Sequence, residues 1–106
     1  MYTIEYLPAA RKDMVDIAKY IAQELHNPEA AGKLAAKMVQ GVENVKEFPH
    51  SNPLHIPVRP LKHAHRKLIV DRYIIFYWAE EERRTVTVAR VIYGKRDYVT
   101  VQPCYS

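Results

Sequence analysis

Tyr2, Ile4 and Tyr6 alternate with Thr3 and Glu5, a period of two that predicts a strand with one buried face. Pro8 then stands where the first turn of a helix tolerates a missing N–H. Met14, Ile17, Ala18, Ile21, Ala22 and Leu25 fall on one stripe of a helix expected to run to about Leu25, with Arg11, Lys12, Asp16, Lys19 and Gln23 off that stripe. Asn27-Pro28-Glu29 reads as an N-cap, a proline at the first helical position and a carboxylate near the positive end of the helix dipole. Ala31, Leu34, Ala35, Met38, Val42 and Val45 make a second stripe, predicted to end near Phe48, ahead of Pro49. The short link at His26 and Asn27 makes the pair an antiparallel helical hairpin.

Pro49, Pro53, Pro57 and Pro60 mark an extended loop rather than a linker, since neither side of it could fold alone. From Arg66 the pattern returns to strands. Leu68 and Val70 alternate with Lys67 and Ile69, Asp71-Arg72 forms a tight turn, and Tyr73 to Trp78 is apolar on both faces, as a central strand is. Glu80 to Arg83 is a charged turn. Thr85 to Tyr93 is a last strand, read as Val86, Val88, Arg90 and Ile92 on one face against Thr87, Ala89 and Val91, and Gly94 ends it, free to take positive φ. The order β-α-α-β-β-β predicts an α+β fold: an antiparallel sheet with a helical hairpin packed on one face. One domain is expected over residues 1–98, followed by a tail at 99–106 that holds Pro103 and has no clear periodicity.

With 106 residues, 48% of them hydrophobic and 26% charged, the chain suits a single globular domain with one modest core. Cys104 is the only cysteine, which excludes an internal disulfide, a zinc ribbon and a CxxC redox motif. Met1 to Leu7 lacks a basic leader region and carries Glu5, and the longest apolar run, Tyr73 to Ala79, is far short of the roughly 20 residues that span a bilayer. A cytoplasmic protein with no membrane partner is therefore expected.

The formal charge of +4 points mildly to an anionic partner, and its placement sharpens this. Between Pro49 and Ala79 lie Arg59, Lys62, Arg66, Lys67 and Arg72 against a single acid, Asp71, together with His50, His55, His63 and His65; Lys95 and Arg96 extend the group. The helices cover one face of the sheet, and the other is expected to stay open, carrying Arg66, Lys67, Tyr73, Tyr77 and Arg90. Such a face suits phosphate contacts and base stacking. The bland alternatives are a solvated face that uses tyrosine as a strand former and a basic loop that holds an acidic partner protein. His63-Ala64-His65 has no third or fourth ligand near it, so no metal site is expected. His65 and His55 are candidates for proton transfer near neutral pH. Ser51 and Ser106 lack the setting of a nucleophile, and Gly32, Gly41 and Gly94 are too scattered for a phosphate-cradling loop. No cofactor is expected.

The segments Arg66-Lys67-Leu68-Ile69-Val70, Tyr73-Ile74-Ile75-Phe76-Tyr77 and Val88 to Tyr98, the last close to an "RVxxGxRDY" ending, resemble the RelE/ParE superfamily of type II toxin–antitoxin toxins. Pro28 between the helices and the "EFPxSxP"-like stretch from Glu47 to Pro53 add to the resemblance, which runs from Tyr2 to Tyr98. It implies a growth inhibitor held by a small acidic antitoxin that folds on binding. It also implies one of two activities: binding DNA gyrase, as ParE-like members do, or cleaving mRNA on the translating ribosome, as RelE-like members do. A third reading is a relic that only binds its antitoxin. Under the nuclease reading Lys67 is a strand cation, Arg96 stabilises phosphorane charge, and Arg66 and His65 assist. Under the binding reading Arg59, Lys62, Arg66, Lys67, Tyr73, Tyr77, Arg90, Lys95, Arg96 and Tyr98 form the contact surface. The arginine expected on the strand after Lys67 falls at Ile74, and no tyrosine sits at the expected place beyond Arg96, Tyr98 being early and Tyr105 late. These departures and the "RVxxGxRDY" ending favour the ParE-like branch.

Overall fold

The computed structural model describes residues 2–55 and 63–94. Strand β1 (Thr3–Tyr6) leads into α1 (Pro8–Lys19), a π-helical turn (Tyr20–Glu24) and α2 (Pro28–Val45); β2 (Arg66–Val70), β3 (Tyr73–Glu80) and β4 (Thr85–Tyr93) follow. The predicted β-α-α-β-β-β order and α+β class are what the chain forms. The sheet order is β1-β4-β3-β2. The meander β2-β3-β4 is antiparallel, but β1 lies parallel to β4, with Ile4 opposite Val86 and Tyr6 opposite Val88. The sheet is therefore mixed rather than wholly antiparallel. The hairpin is the crossover that makes this possible, because parallel neighbours need a long connection and β1 precedes both helices.

Helix α2 starts as predicted: the Asn27 side chain accepts the Ala30 N–H at 3.1 Å, and Pro28 needs no donor. It ends at Val45, before the expected Phe48. Helix α1 stops at Lys19 instead of continuing as an α-helix to Leu25. Its last turn widens to π geometry, with the Leu25 N–H donating to Tyr20 O at 3.2 Å, and His26 then takes φ 51 to reverse the chain.

The core lies between the hairpin and one face of the sheet. Leu34, Met38, Val42 and Val45 of α2 meet Val70, Ile75, Tyr77, Val86, Val88 and Val91, with Ile4 and Tyr6 of β1 against the same cluster. On β4 the predicted alternation fails midway. The register shifts at Phe76/Tyr77, where Tyr77 faces Val88 and Phe76 faces Arg90, leaving Ala89 as an extra residue. That bulge reverses the faces, so Val91 joins Val88 on the core side while Arg90 and Ile92 turn to the other. Gly94 does not take positive φ. Glycine is needed there for close approach: a Cβ would come 3.0 Å from Arg72 O.

Candidate functional site

The open face expected to display cations and tyrosines is not what the sheet presents. Its second face buries Ile74, Phe76, Trp78 and Ile92, with Thr85 and Thr87 beside them. Tyr73 and Tyr77 lie on the helix side, because strand residues alternate and Ile75 between them is core. Tyr77 is 1% exposed, and its phenol accepts a hydrogen bond from Asn52 Nδ2 at 3.0 Å. Burial raises the Tyr77 pKa, while Asn52 and Arg66 act in the opposite direction.

Arg66 and Lys67 are neighbours in sequence but point to opposite faces. Arg66 sits across from Tyr77 and ties down the proline loop, donating from Nη1 to Asn52 O at 2.8 Å. Lys67 sits across from Phe76, and its own N–H donates to Pro53 O at 2.9 Å. His65 is 1% exposed; its Nδ1 lies 2.8 Å from His63 O and its ring meets Trp78 edge-on. His63 stacks flat on Trp78 at 4.2 Å, and His55 is edge-on to Phe76. The histidines thus pack aromatically on the second face. Burial, then Lys67 and His65, lowers the His55 pKa. Arg90 is held by Asp13 at 2.7 and 3.1 Å, and the same carboxylate accepts the Val91 N–H at 2.9 Å. That carboxylate serves the stretch of β4 edge that β1 is too short to cover. Arg59, Lys62, Lys95, Arg96 and Tyr98 lie outside the described residues. Among the described residues no three His, Cys, Asp or Glu side chains are grouped as metal ligands, and no helix is long and apolar enough to cross a membrane.

What the fold does assemble is a groove of 1160 Å³ at the tip of the hairpin. Ile17, Ile21 and Leu34 line it from the helices, and Asp71, Arg72, Tyr73 and Tyr93 close it from the sheet. The Tyr73 and Tyr93 rings lie 5.5 Å apart, and the Tyr73 pKa is raised by burial and by the neighbouring Tyr93 and Tyr20 phenols. Three tyrosines from distant parts of the chain therefore share one opening. Tyr20 and Leu25, at its rim, are 54% and 55% exposed. Of these residues, the sequence reading singled out only Tyr73 as a binding residue. Tyr20 carried a signal, as an aromatic residue off the buried stripe at a helix end, and Arg72 one as part of the basic cluster after Pro49; Tyr93 carried none, because only the strand pairing brings it to the hairpin. A second open feature is the β2 edge, where Ile69 is 69% exposed.

The chain matches the family of the ParE toxin of type II toxin–antitoxin systems, parDE, over residues 4–98. In structure it is similar to a chain of the chromosomal ParDE toxin–antitoxin system from P. aeruginosa, with TM-score 0.70 and 16% identity over 88% of this chain and 96% of that one. It is also similar to a chain of the toxin–antitoxin complex RelBE2 from Mycobacterium tuberculosis, with TM-score 0.59 and 20% identity over 87% and 96%. A chain of the intact E. coli RelBE complex follows, with TM-score 0.55 and 18% identity over 91% and 100%. No functionally curated protein matches it. With a hairpin packed on a four-stranded sheet and a family match that runs from within β1 through β4, the chain belongs to the ParE toxin family of type II toxin–antitoxin systems.

Proposed function

We propose that this toxin is held by a cognate acidic antitoxin and inhibits growth by binding a macromolecular target, DNA gyrase in the first instance, rather than by cutting mRNA. The observation that carries the choice is that, among the described residues, the candidates for an in-line attack on phosphate do not converge on one point. Arg66 is engaged with Asn52 O on the helix side, Lys67 lies on the opposite face, His65 is buried, and the position expected to hold a strand arginine is the buried Ile74. Charge stabilisation of a transition state requires donors converging on one point. The net positive charge suits an acidic antitoxin, and the structural relatives are themselves toxin–antitoxin pairs.

The test takes the purified toxin into two assays side by side. In a gyrase supercoiling and DNA-cleavage assay, inhibition relieved by the antitoxin is the expected result. In a reconstituted translation reaction with mapping of mRNA ends, intact mRNA is expected. Cuts that appear only on translating ribosomes would overturn the proposal in favour of the endoribonuclease, with Arg96 and Lys67 the first residues to mutate. A folded protein that binds its antitoxin but is silent in both assays would mark it as a relic.

A further inference from the structure

We propose that β2 pairs edge to edge with β2 of a second copy of this chain, about a two-fold axis at Ile69, to form a weak homodimer with one continuous sheet. The proposal does not depend on which macromolecule the toxin inhibits. β2 is the outermost strand on the side away from β1. The proline loop covers only the start of its outer edge: His55 N–H donates to His65 O at 2.8 Å and Lys67 N–H to Pro53 O at 2.9 Å. Main-chain direction alternates along a strand, so the Ile69 N–H and C=O point outward as those of Lys67 do, and the Lys67–Phe76 and Ile69–Ile74 pairs with β3 are the non-hydrogen-bonded ones. Among the described residues nothing is hydrogen-bonded to the Ile69 N–H or C=O. The Ile69 side chain is 69% exposed, more than any other large apolar side chain described. An exposed apolar residue on an open strand edge invites a further strand.

The length of the open edge sets the register. Pro53 stands across from Lys67 at one end, and at the other the chain turns back through Asp71 and Arg72. Only Leu68 to Val70 lie uncovered between them, so a symmetric antiparallel mate must centre on Ile69. Centring on Leu68 instead would set Ile69 against Lys67, whose N–H is already taken. With Ile69 on the axis, each Ile69 N–H donates to the Ile69 C=O of the other copy, and the two isoleucine side chains meet on the face that bears Lys67. Leu68 of one copy stands across from Val70 of the other on the helix side. Lys67 falls at the same end as Asp71 of the second copy. Asp71 is bonded to Lys37 at 3.2 Å and is still 48% exposed, so it has room for a second cation. The run Lys67-Leu68-Ile69-Val70-Asp71 is thus its own complement, apolar against apolar and cation against anion, which is what selects a second copy over an unrelated strand. The contact is a few residue pairs, below the roughly 1,200 Å² of a standard interface, and the +4 charge of each copy opposes it, so the dimer is weak.

The test is sedimentation velocity of the full-length toxin without antitoxin. Monomer is expected at about 1 μM and mostly dimer by about 300 μM, as for a small, transient interface. Ile69→Lys, which puts two cations on the axis, is expected to weaken dimerisation about tenfold or more with the thermal melt retained, since the side chain is exposed. Val39→Lys, at an exposed apolar position on α2, is expected to leave the dimer unchanged. The register is read separately. Hydrogen-bonded antiparallel partners lie about 5.5 Å apart at Cα, within reach of a disulfide. In a Cys104→Ser background, Ile69→Cys is therefore expected to give a cross-linked dimer under oxidised glutathione, and Val39→Cys is not. Monomer over the whole concentration range overturns the proposal. So does a dimer that survives Ile69→Lys, or one that Ile69→Cys does not cross-link. A toxin that stays monomeric and loses antitoxin affinity on Ile69→Lys also overturns it and gives the edge to the antitoxin.

Discussion

Asp13 does more than a surface acid usually does. It holds the Arg90 guanidinium at two points and accepts the Val91 N–H, and neither partner of the ion pair is more than a quarter exposed. Asp13→Ala takes this carboxylate away from a largely buried guanidinium and an edge amide, and hydrogen bonds to charged groups contribute more than neutral ones. The expected loss is about 2–3 kcal/mol in denaturant unfolding; a change under about 0.5 kcal/mol would show that water replaces the carboxylate at no cost. His55 gives a pH signature. Its folded-state pKa lies below the ordinary 6.5, so the unfolded chain takes up a proton first as pH falls. The stability His55 contributes is therefore complete above pH 6.5 and declines as pH drops from there through the folded value. Melting temperatures between pH 7.5 and 5 are expected to fall less steeply in His55→Gln than in the parent; parallel curves would assign the pH dependence to other groups.

At the scale of elements, capping and geometry explain why the hairpin has its shape. Asn27 closes α2 through a single side-chain acceptor, with Glu29 in the first turn and paired to Lys33 at 3.2 Å. Asn27→Ala is expected to cost about 1 kcal/mol, and Asn27→Gly only a few tenths. Equal losses for the two, measured by chemical denaturation, would mean that the cap bond is not what holds the turn. The described start of the proline loop, residues 49–55, is fixed in a different way. Its backbone pairs with β2 through His55 N–H to His65 O and Lys67 N–H to Pro53 O, while Asn52 bridges Tyr77 and Arg66. The residues that read as a binding face are, in this segment, the struts of the loop.

For the whole molecule the decisive fact is that β3 and β4 bury side chains on both faces of the sheet, while the hairpin packs on one of them. Helix α2 crosses β2 so closely that a Cβ on Gly41 would stand 3.2 Å from Leu68 Cδ2 and 3.4 Å from Val70 Cγ2. Gly41→Leu must push these layers apart, and overpacking of this kind costs about 1–3 kcal/mol. A Gly41→Leu protein as stable as the parent would mean that the hairpin shifts on the sheet without loss. The same layering places the groove between hairpin and sheet, with Tyr20 and Leu34 on one side and Tyr73 and Tyr93 on the other.

The sequence by itself determined the order of elements, the inward stripes of both helices apart from Leu25 and Ala35, which are exposed, the cap at Asn27 and the family, because each depends on local periodicity or on short motifs. It did not determine which face each residue of β4 occupies, since one bulge at Ala89 reverses the alternation and leaves no mark in a pattern of valines. Nor did it reveal that β1 runs parallel to β4, or that Arg90 belongs to Asp13, 77 residues away. The candidate site was the least legible part. Tyr20, Arg72 and Tyr93 become neighbours only through the π-turn and the pairing of β3 with β4. Contacts between residues far apart in the chain are set by how the layers pack, and a residue's type says nothing of who will stand across from it.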